Sequence, residues 1–187
     1  ANARDCGISR FVMEVSSQAL KYDRVLGVSY RSGVFLNISE DHISPVEHRD
    51  FEDYFSSKLK LFAQSETAYI NTDCDFAARI AEAAGASGRV VTFGQNEQAD
   101  FYGYNVRKEE GEIRFRVRCA QFDVPFALTM PGLFNVENAL AAIAVCTERG
   151  IPLSAMQKGL YKARSSGRME THISEDGKKI AIVDYAH

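Results

Sequence analysis

The amino-acid sequence predicts an α/β fold, a mainly parallel sheet flanked by helices with a small antiparallel β subsheet. Three observations carry this. Through the first half, short apolar runs alternate with segments of helical periodicity, the pattern of strands joined by crossover helices. Between residues 100 and 130 the period drops to two, as in paired antiparallel strands. Beyond Pro131-Gly132 the helical period returns.

In order along the chain, residues 10–15 are an apolar run suited to a buried strand, and Ser16-Ser17 offers capping hydroxyls for a turn of helix through Leu20. Residues 33–38 make a second buried-strand pattern, and residues 47–63 carry the strongest helical periodicity in the chain. Residues 68–71 and 89–93 are strand-like and flank a helix-like segment over 74–84. Within the alternating stretch, Glu109-Glu110-Gly111-Glu112 signals a hairpin. Helices are expected over 136–149 and 154–163, interrupted by Gly150-Ile151-Pro152. Arg164-Ser165-Ser166-Gly167 has the composition of a linker, and strands over 169–173 and 179–184 flank Glu175-Asp176-Gly177, a further hairpin signal. The chain therefore divides into a main domain, residues 1–163, and a linker with the first strands of another domain, residues 164–187.

Composition narrows the classes of function. The 187 residues are 45% hydrophobic and 25% charged, which suits one globular domain and part of a second. A net charge of -3 with scattered basic residues argues against nucleic acid or anionic lipid as a partner. No apolar stretch approaches a membrane span and no basic-then-apolar leader precedes Ala1, so a soluble, cytoplasmic protein without membrane insertion is expected. Cys6, Cys74, Cys119 and Cys146 lack zinc-site spacing and read as reduced thiols. Ala1 runs almost directly into a strand-like segment and the chain stops just past another, so an internal fragment is expected.

Several residues could carry chemistry. Glu14 closes an apolar run, where open α/β sheets place ligand-contacting groups, although a salt-bridged or capping glutamate would look the same. His42 follows the next strand and could reach the same rim as Glu14, or it is simply solvated, as are His48 and His172. Lys58 interrupts a stripe of Phe51, Tyr54, Phe55, Leu61 and Phe62. Desolvation there favours a neutral amine able to attack carbon dioxide and form an anionic carbamate; the alternative is a lysine whose head reaches water past an apolar stem. Lys60 faces elsewhere and reads as a surface lysine. Asn135 reads as a helix N-cap, and Asn138, one turn on, can offer a donor and an acceptor to a purine edge. Arg168, in the linker, could reach a phosphate with its guanidinium fork or be an ordinary surface arginine.

The ordered motifs Glu14-Val15-Ser16-Ser17, Asp41-His42, Lys58, Asn135-Val136-Glu137-Asn138, Gly167-Arg168-Met169-Glu170 and Asp184-Tyr185-Ala186-His187 resemble those of the Mur ligases, ATP-dependent amino-acid-adding enzymes of cell-wall synthesis. The resemblance covers nearly the whole chain. Residues 13–20, Tyr54 with Lys58 and Leu61-Phe62, and the terminal motif are its most specific parts. It implies a central, P-loop-NTPase-like ATP-binding domain over 1–163 and the start of a C-terminal domain over 164–187. It implies that ATP phosphorylates a carboxylate of a UDP-N-acetylmuramoyl dipeptide and that an amino acid attacks the acyl phosphate. By matched position, Glu14, His42 and a carbamylated Lys58 would be catalytic and hold Mg2+. Ser16, Tyr22 and Arg24 fall where the family contacts the UDP-sugar peptide, and Asn135, Asn138, Arg168 and Asp184 match ATP contacts. A monomer is expected.

Two features depart from that pattern. The chain has no G-x-x-G-K-[ST] phosphate loop, so these residues alone are not expected to catalyse ligation. Residues 39–48 differ from the usual Asp-His followed by Tyr-His-Gly. The competing expectations are another ligase of the same superfamily, such as a folylpolyglutamate or cyanophycin synthetase, and a non-catalytic binding module on this fold.

Overall fold

The structure, a computed structural model, describes residues 5–40, 43–44, 46–85 and 87–185. Its centre is a six-stranded sheet built in chain order from β1 (Gly33–Phe35), β2 (Thr67–Asn71), β3 (Arg89–Gly94), β4 (Phe101–Glu109), β5 (Glu112–Arg118) and β6 (Asp123–Leu128). The first four strands pair in parallel and the last three antiparallel. The subsheet expected over 100–130 is therefore continuous with the parallel part, joined through Phe93↔Phe101 and Gly94↔Tyr102. Parallel neighbours need crossovers, which α2 (Phe51–Ala63) and α3 (Ala77–Ala84) supply. Strand order that follows chain order, with crossovers of one hand, puts both helices on the same face.

Strand alternation sorts the core into two layers. Ala68 and Ile70 of β2 meet Phe55, Phe62 and Ile80 from α2 and α3. Tyr69, between them, points into the opposite layer with Val91, Phe93 and Phe115, under α4 (Asn135–Glu148) and α5 (Leu153–Lys162). Such two-sided burial accounts for the unbroken apolar character of central parallel strands. Close approach of α4 requires a glycine at 103, where an added Cβ would lie 2.7 Å from Leu140 Cδ1. At the β4–β5 turn, Gly111 takes φ +72°, the left-handed conformation that the Glu109–Glu112 hairpin needs. Beyond α5, β7 (Glu170–Ile173) and β8 (Ile180–Val183) pair antiparallel as a separate, largely exposed hairpin. No helix among the described residues is long and apolar enough to cross a membrane.

Two expectations need correction. Residues 10–15 are not a buried strand: they form no regular element, and Phe11 and Val12 are 74% and 97% exposed. An apolar β-type run becomes a strand only where a neighbour satisfies its backbone, and among the described residues β1 is bonded to β2 alone. The helix expected from residue 47 begins at Phe51, because Asp50 caps it by accepting from the Asp53 amide at 2.8 Å, while His48 bridges to Ile43 upstream.

A short helix, α1 (Ser17–Lys21), starts where Ser16 accepts from the Ala19 amide at 3.1 Å, as its sequence predicts. It lies on α2 through polar contacts. Lys21 Nζ donates to Asp53 Oδ2 at 2.7 Å and to the Glu47 carbonyl at 2.8 Å. His48 Nε2 lies 2.9 Å from Ser17 Oγ, and Lys60 Nζ donates to the Leu20 carbonyl at 3.3 Å. Thus His48 is fully buried rather than solvated, whereas Lys60 is the exposed surface lysine its position predicts, paired with Asp23 at 3.5 Å. The Lys21 ammonium, followed by the Arg49 amide, holds the Asp53 carboxyl down at about 2.

Two outcomes follow from this packing. Leu140→Ala, which empties fully buried volume against β4, is expected to cost about 2–5 kcal/mol, measured from urea unfolding midpoints. Because Asp53 is more acidic folded than unfolded, its contribution is present above pH ~4 and is lost as the pH falls towards ~2. The Tm difference between the native chain and Asp53→Asn should therefore be present at neutral pH and vanish near pH 2.

Candidate active site at the carboxyl rim of the sheet

Open α/β sheets bind ligands where their parallel strands end, since loops and helix N-termini converge there. At that rim Lys58 rises from α2 with its Nζ between two rings, 5.1 Å from the centre of Phe35 and 5.3 Å from that of Tyr54. It donates to the Asn37 carbonyl, two residues beyond β1, at 3.0 Å, and to the Tyr54 hydroxyl at 3.4 Å. Burial lowers its pKa from the ordinary lysine value, and the nearby Cys74 opposes the shift only in part. The head is thus turned onto the rim and partly desolvated, the condition under which a lysine supplies a neutral, nucleophilic amine.

The rim continues across β2 and β3. Asn71, the last residue of β2 and 1% exposed, donates to Glu137 Oε2 at 2.9 Å and so ties the sheet to the first turn of α4. Its Oδ1 accepts from the Asp73 amide at 3.0 Å, and Asp73 Oδ2 in turn accepts from the Gln95 amide after β3 at 2.6 Å. Asn71, Asp73 and Glu137 were not among the candidates from sequence. The signal was available, since Asn71 and Asp73 close an apolar run just as Glu14 does, but only the fold brings Glu137 to them.

Asn135 is not the cap of α4. Phe134 holds that position, and Asn135, the first helical residue, donates from Nδ2 to the Pro131 carbonyl at 2.6 Å. The turn before the helix already uses its backbone N–H, which donates to the Gly132 carbonyl. Asn138 Nδ2 donates to Asn135 Oδ1 at 3.1 Å, so the two amides act as one unit. Pro131 also lines a cleft of about 530 Å3 together with Thr129, Arg164 and Arg168. Arg168 donates to the Tyr185 carbonyl at 2.6 Å, and Asp184 Oδ1 accepts from the Met169 amide at 3.0 Å. The asparagine pair is thus tied, through the Pro131 carbonyl, to one wall of the cleft that Arg168 lines. A second cleft of about 600 Å3, at the amino end of β3, lies away from this rim, and its Arg89 and Arg118 are paired with Glu148 and Glu97.

Glu14 is exposed in the irregular segment before α1 rather than at a strand end. His42, with Asp41, lies outside the described residues. Ser16 is committed to capping α1, while Tyr22 and Arg24 are exposed just beyond it, the guanidinium 5.6 Å from the tyrosine ring. His172 is exposed beside Glu170 at 3.4 Å. Among the described residues no three His, Cys, Asp or Glu side chains form a metal-ligating group. As an amine, Lys58 is a donor, so the described residues do not by themselves fit a magnesium ion.

Comparison with known proteins agrees with this architecture. Residues 1–146 match the family model described as Mur ligase middle domain. The chain is 33% identical to the UDP-N-acetylmuramoyl-L-alanyl-D-glutamate–2,6-diaminopimelate ligase of Clostridium perfringens, over 100% of this chain and 39% of that protein. It is 38% identical to the UDP-N-acetylmuramoyl-L-alanyl-D-glutamate–L-lysine ligase of Streptococcus pyogenes serotype M4, over 97% of this chain and 36% of that one. The chain thus spans little more than a third of the length of these relatives. A solved UDP-N-acetylmuramoyl-L-alanyl-D-glutamate–2,6-diaminopimelate ligase superposes with a TM-score of 0.79 at 27% identity, covering 93% of this chain and 36% of that structure. At 24% identity, MurF from Acinetobacter baumannii shares the fold with a TM-score of 0.72, over 82% of this chain and 33% of that one. By its sheet order, its helical layers and these matches, the chain belongs to the Mur ligase middle domain family.

Proposed function

We propose that this chain is the central part of an ATP-dependent carbon–nitrogen ligase of peptidoglycan synthesis, of the UDP-N-acetylmuramoyl-tripeptide synthetase type. The enzyme would add an amino acid to a UDP-N-acetylmuramoyl dipeptide through an acyl phosphate. The observation that carries this reading is the desolvated Lys58 amine on the carboxyl rim of a Mur ligase middle domain. Residues 1–163 are proposed as the central domain and 164–187 as the linker and first strands of the next. The separate β7–β8 hairpin supports that division.

In this reading a carboxylate and a phosphate must approach each other, and their repulsion has to be screened by cations. Lys58 contributes by adding its neutral amine to carbon dioxide: a C–N bond forms, a proton leaves, and a buried donor becomes an anionic oxygen acceptor. That change makes the position suited to Mg2+, with Glu14 and His42 proposed as its companions. Asn135 and Asn138 would hold the purine of ATP at the cleft that Arg168 borders, Arg168 the phosphates, and Asp184 the nucleotide from the linker side. Ser16, Tyr22 and Arg24, on and beyond α1, would hold the UDP-sugar peptide. A monomeric, cytoplasmic enzyme fits these roles.

The test uses the full-length protein. ADP release dependent on UDP-N-acetylmuramoyl-L-alanyl-D-glutamate and either diaminopimelate or L-lysine is expected; extension of a folate in its place would overturn the assignment. Lys58→Ala should lower turnover by about 1000-fold or more while Tm moves by no more than about 4 °C. With 13C-bicarbonate, a carbamate resonance should appear in the native protein and be absent from that variant.

A further inference from the structure

Between the substrate-facing positions and Lys58 lies a polar clamp with no place in the chemistry above. The helix α1 has five residues, fewer than can hold a helix on their own, and only Leu20 of it is buried. Apolar contact therefore leaves its direction weakly set. Its polar contacts supply what is missing: Ser17, Leu20 and Lys21 each reach α2 or the turn leading into it. Asp53 is the fixed end of this arrangement. Its backbone N–H is donated to Asp50 and its carboxylate accepts from the Arg49 amide at 3.0 Å, before Lys21 is counted.

Lys21 is the movable end, and its ammonium is used from two sides. It sits on Asp53 and the Glu47 carbonyl, and it also lies 5.7 Å from the centre of the Tyr22 ring, whose other cation is Arg24. Lys21 thus joins Asp53 to the ring that Arg24 also faces. Exposed ion pairs add little to stability, whereas this one is partly buried, with 22% and 13% of the two side chains exposed, and is directed by two further hydrogen bonds. What such geometry supplies is a fixed angle between two helices. Asp53 stands about 1.4 turns before Lys58, roughly 7.5 Å along the axis of α2.

We infer that Asp53, acting through Lys21, is a positioning residue that sets the nucleotide-sugar-binding segment at Ser16–Arg24 at a fixed distance from Lys58. This inference rests on the proposed ligase reading. It predicts a loss in binding of one substrate rather than of both, because the nucleotide-side asparagines on α4 are held by a different contact, Asn71 to Glu137.

The experiment compares Asp53→Asn, Lys21→Met and the double variant of the full-length protein by steady-state kinetics. Each single change should raise KM for the UDP-muramoyl dipeptide about five-fold or more, with KM for ATP and kcat within about two-fold. The double variant should be no worse than the poorer single, and Lys21→Arg should restore most of the binding. Hydrogen exchange should rise over residues 17–24 and stay unchanged over the C-terminal half of α2. Lys21→Met carries the test if Asp53→Asn does not fold. Unchanged KM, independent losses that multiply in the double variant, or an equal rise in KM for ATP would each overturn the inference. A native protein that turns over no UDP-muramoyl substrate would overturn the ligase reading and the inference together, so the two failures are told apart.

Discussion

The arrangement depends on the burial of β2 from both sides. A strand five residues long has to send Ala68 and Ile70 into one layer and Tyr69 into the other, which requires a helix above and a helix below it. α2 and α3 meet the first demand and α4 the second. Once α4 is drawn against Tyr69, with Gly103 giving it room, its first turn stands over the end of β2, where Asn71 can reach Glu137. The convergence of strand ends and helix N-terminus at one rim is a consequence of core packing, and chemistry uses a place that packing had already made.

Lys58 shows the same dependence at the level of one side chain. Its helix has to cover Phe35 and Ala68 with an aromatic face, and the lysine within that face loses water whether or not it reacts. The outcome lies between the two alternatives that its sequence context left open. Its head neither runs out along the surface nor is sealed in the core, but ends on the Asn37 carbonyl at the rim. A partly desolvated amine held at the rim is what the proposed carbamate requires.

Much of the fold was legible in sequence because periodicity reports burial directly. The alternation over 101–128, the cap Ser16, the Glu109–Glu112 turn and the break at Gly150–Pro152 each act within a few residues of themselves. Residues 10–15 were misread for the complementary reason: an apolar run specifies that it prefers burial, not that a partner strand is at hand. His48 departs from the solvated side chain expected of it because its partner, Ser17, lies 31 residues away in sequence.

The candidate site divides in the same way. By itself the sequence determined the order of the elements, the apolar setting of Lys58, the placing of Asn138 one helical turn after Asn135, and, through the order of its motifs, the Mur ligase family. These follow from local periodicity and from residue identity at fixed spacing. Only the tertiary structure decided that Asn71 holds Glu137, that Asp53 holds Lys21, and that Glu14 is exposed in an irregular segment. Contacts of that kind join residues 32 and 66 positions apart. They form only after the chain has closed into layers, since loop closure has to be offset by burial before two distant polar groups can meet.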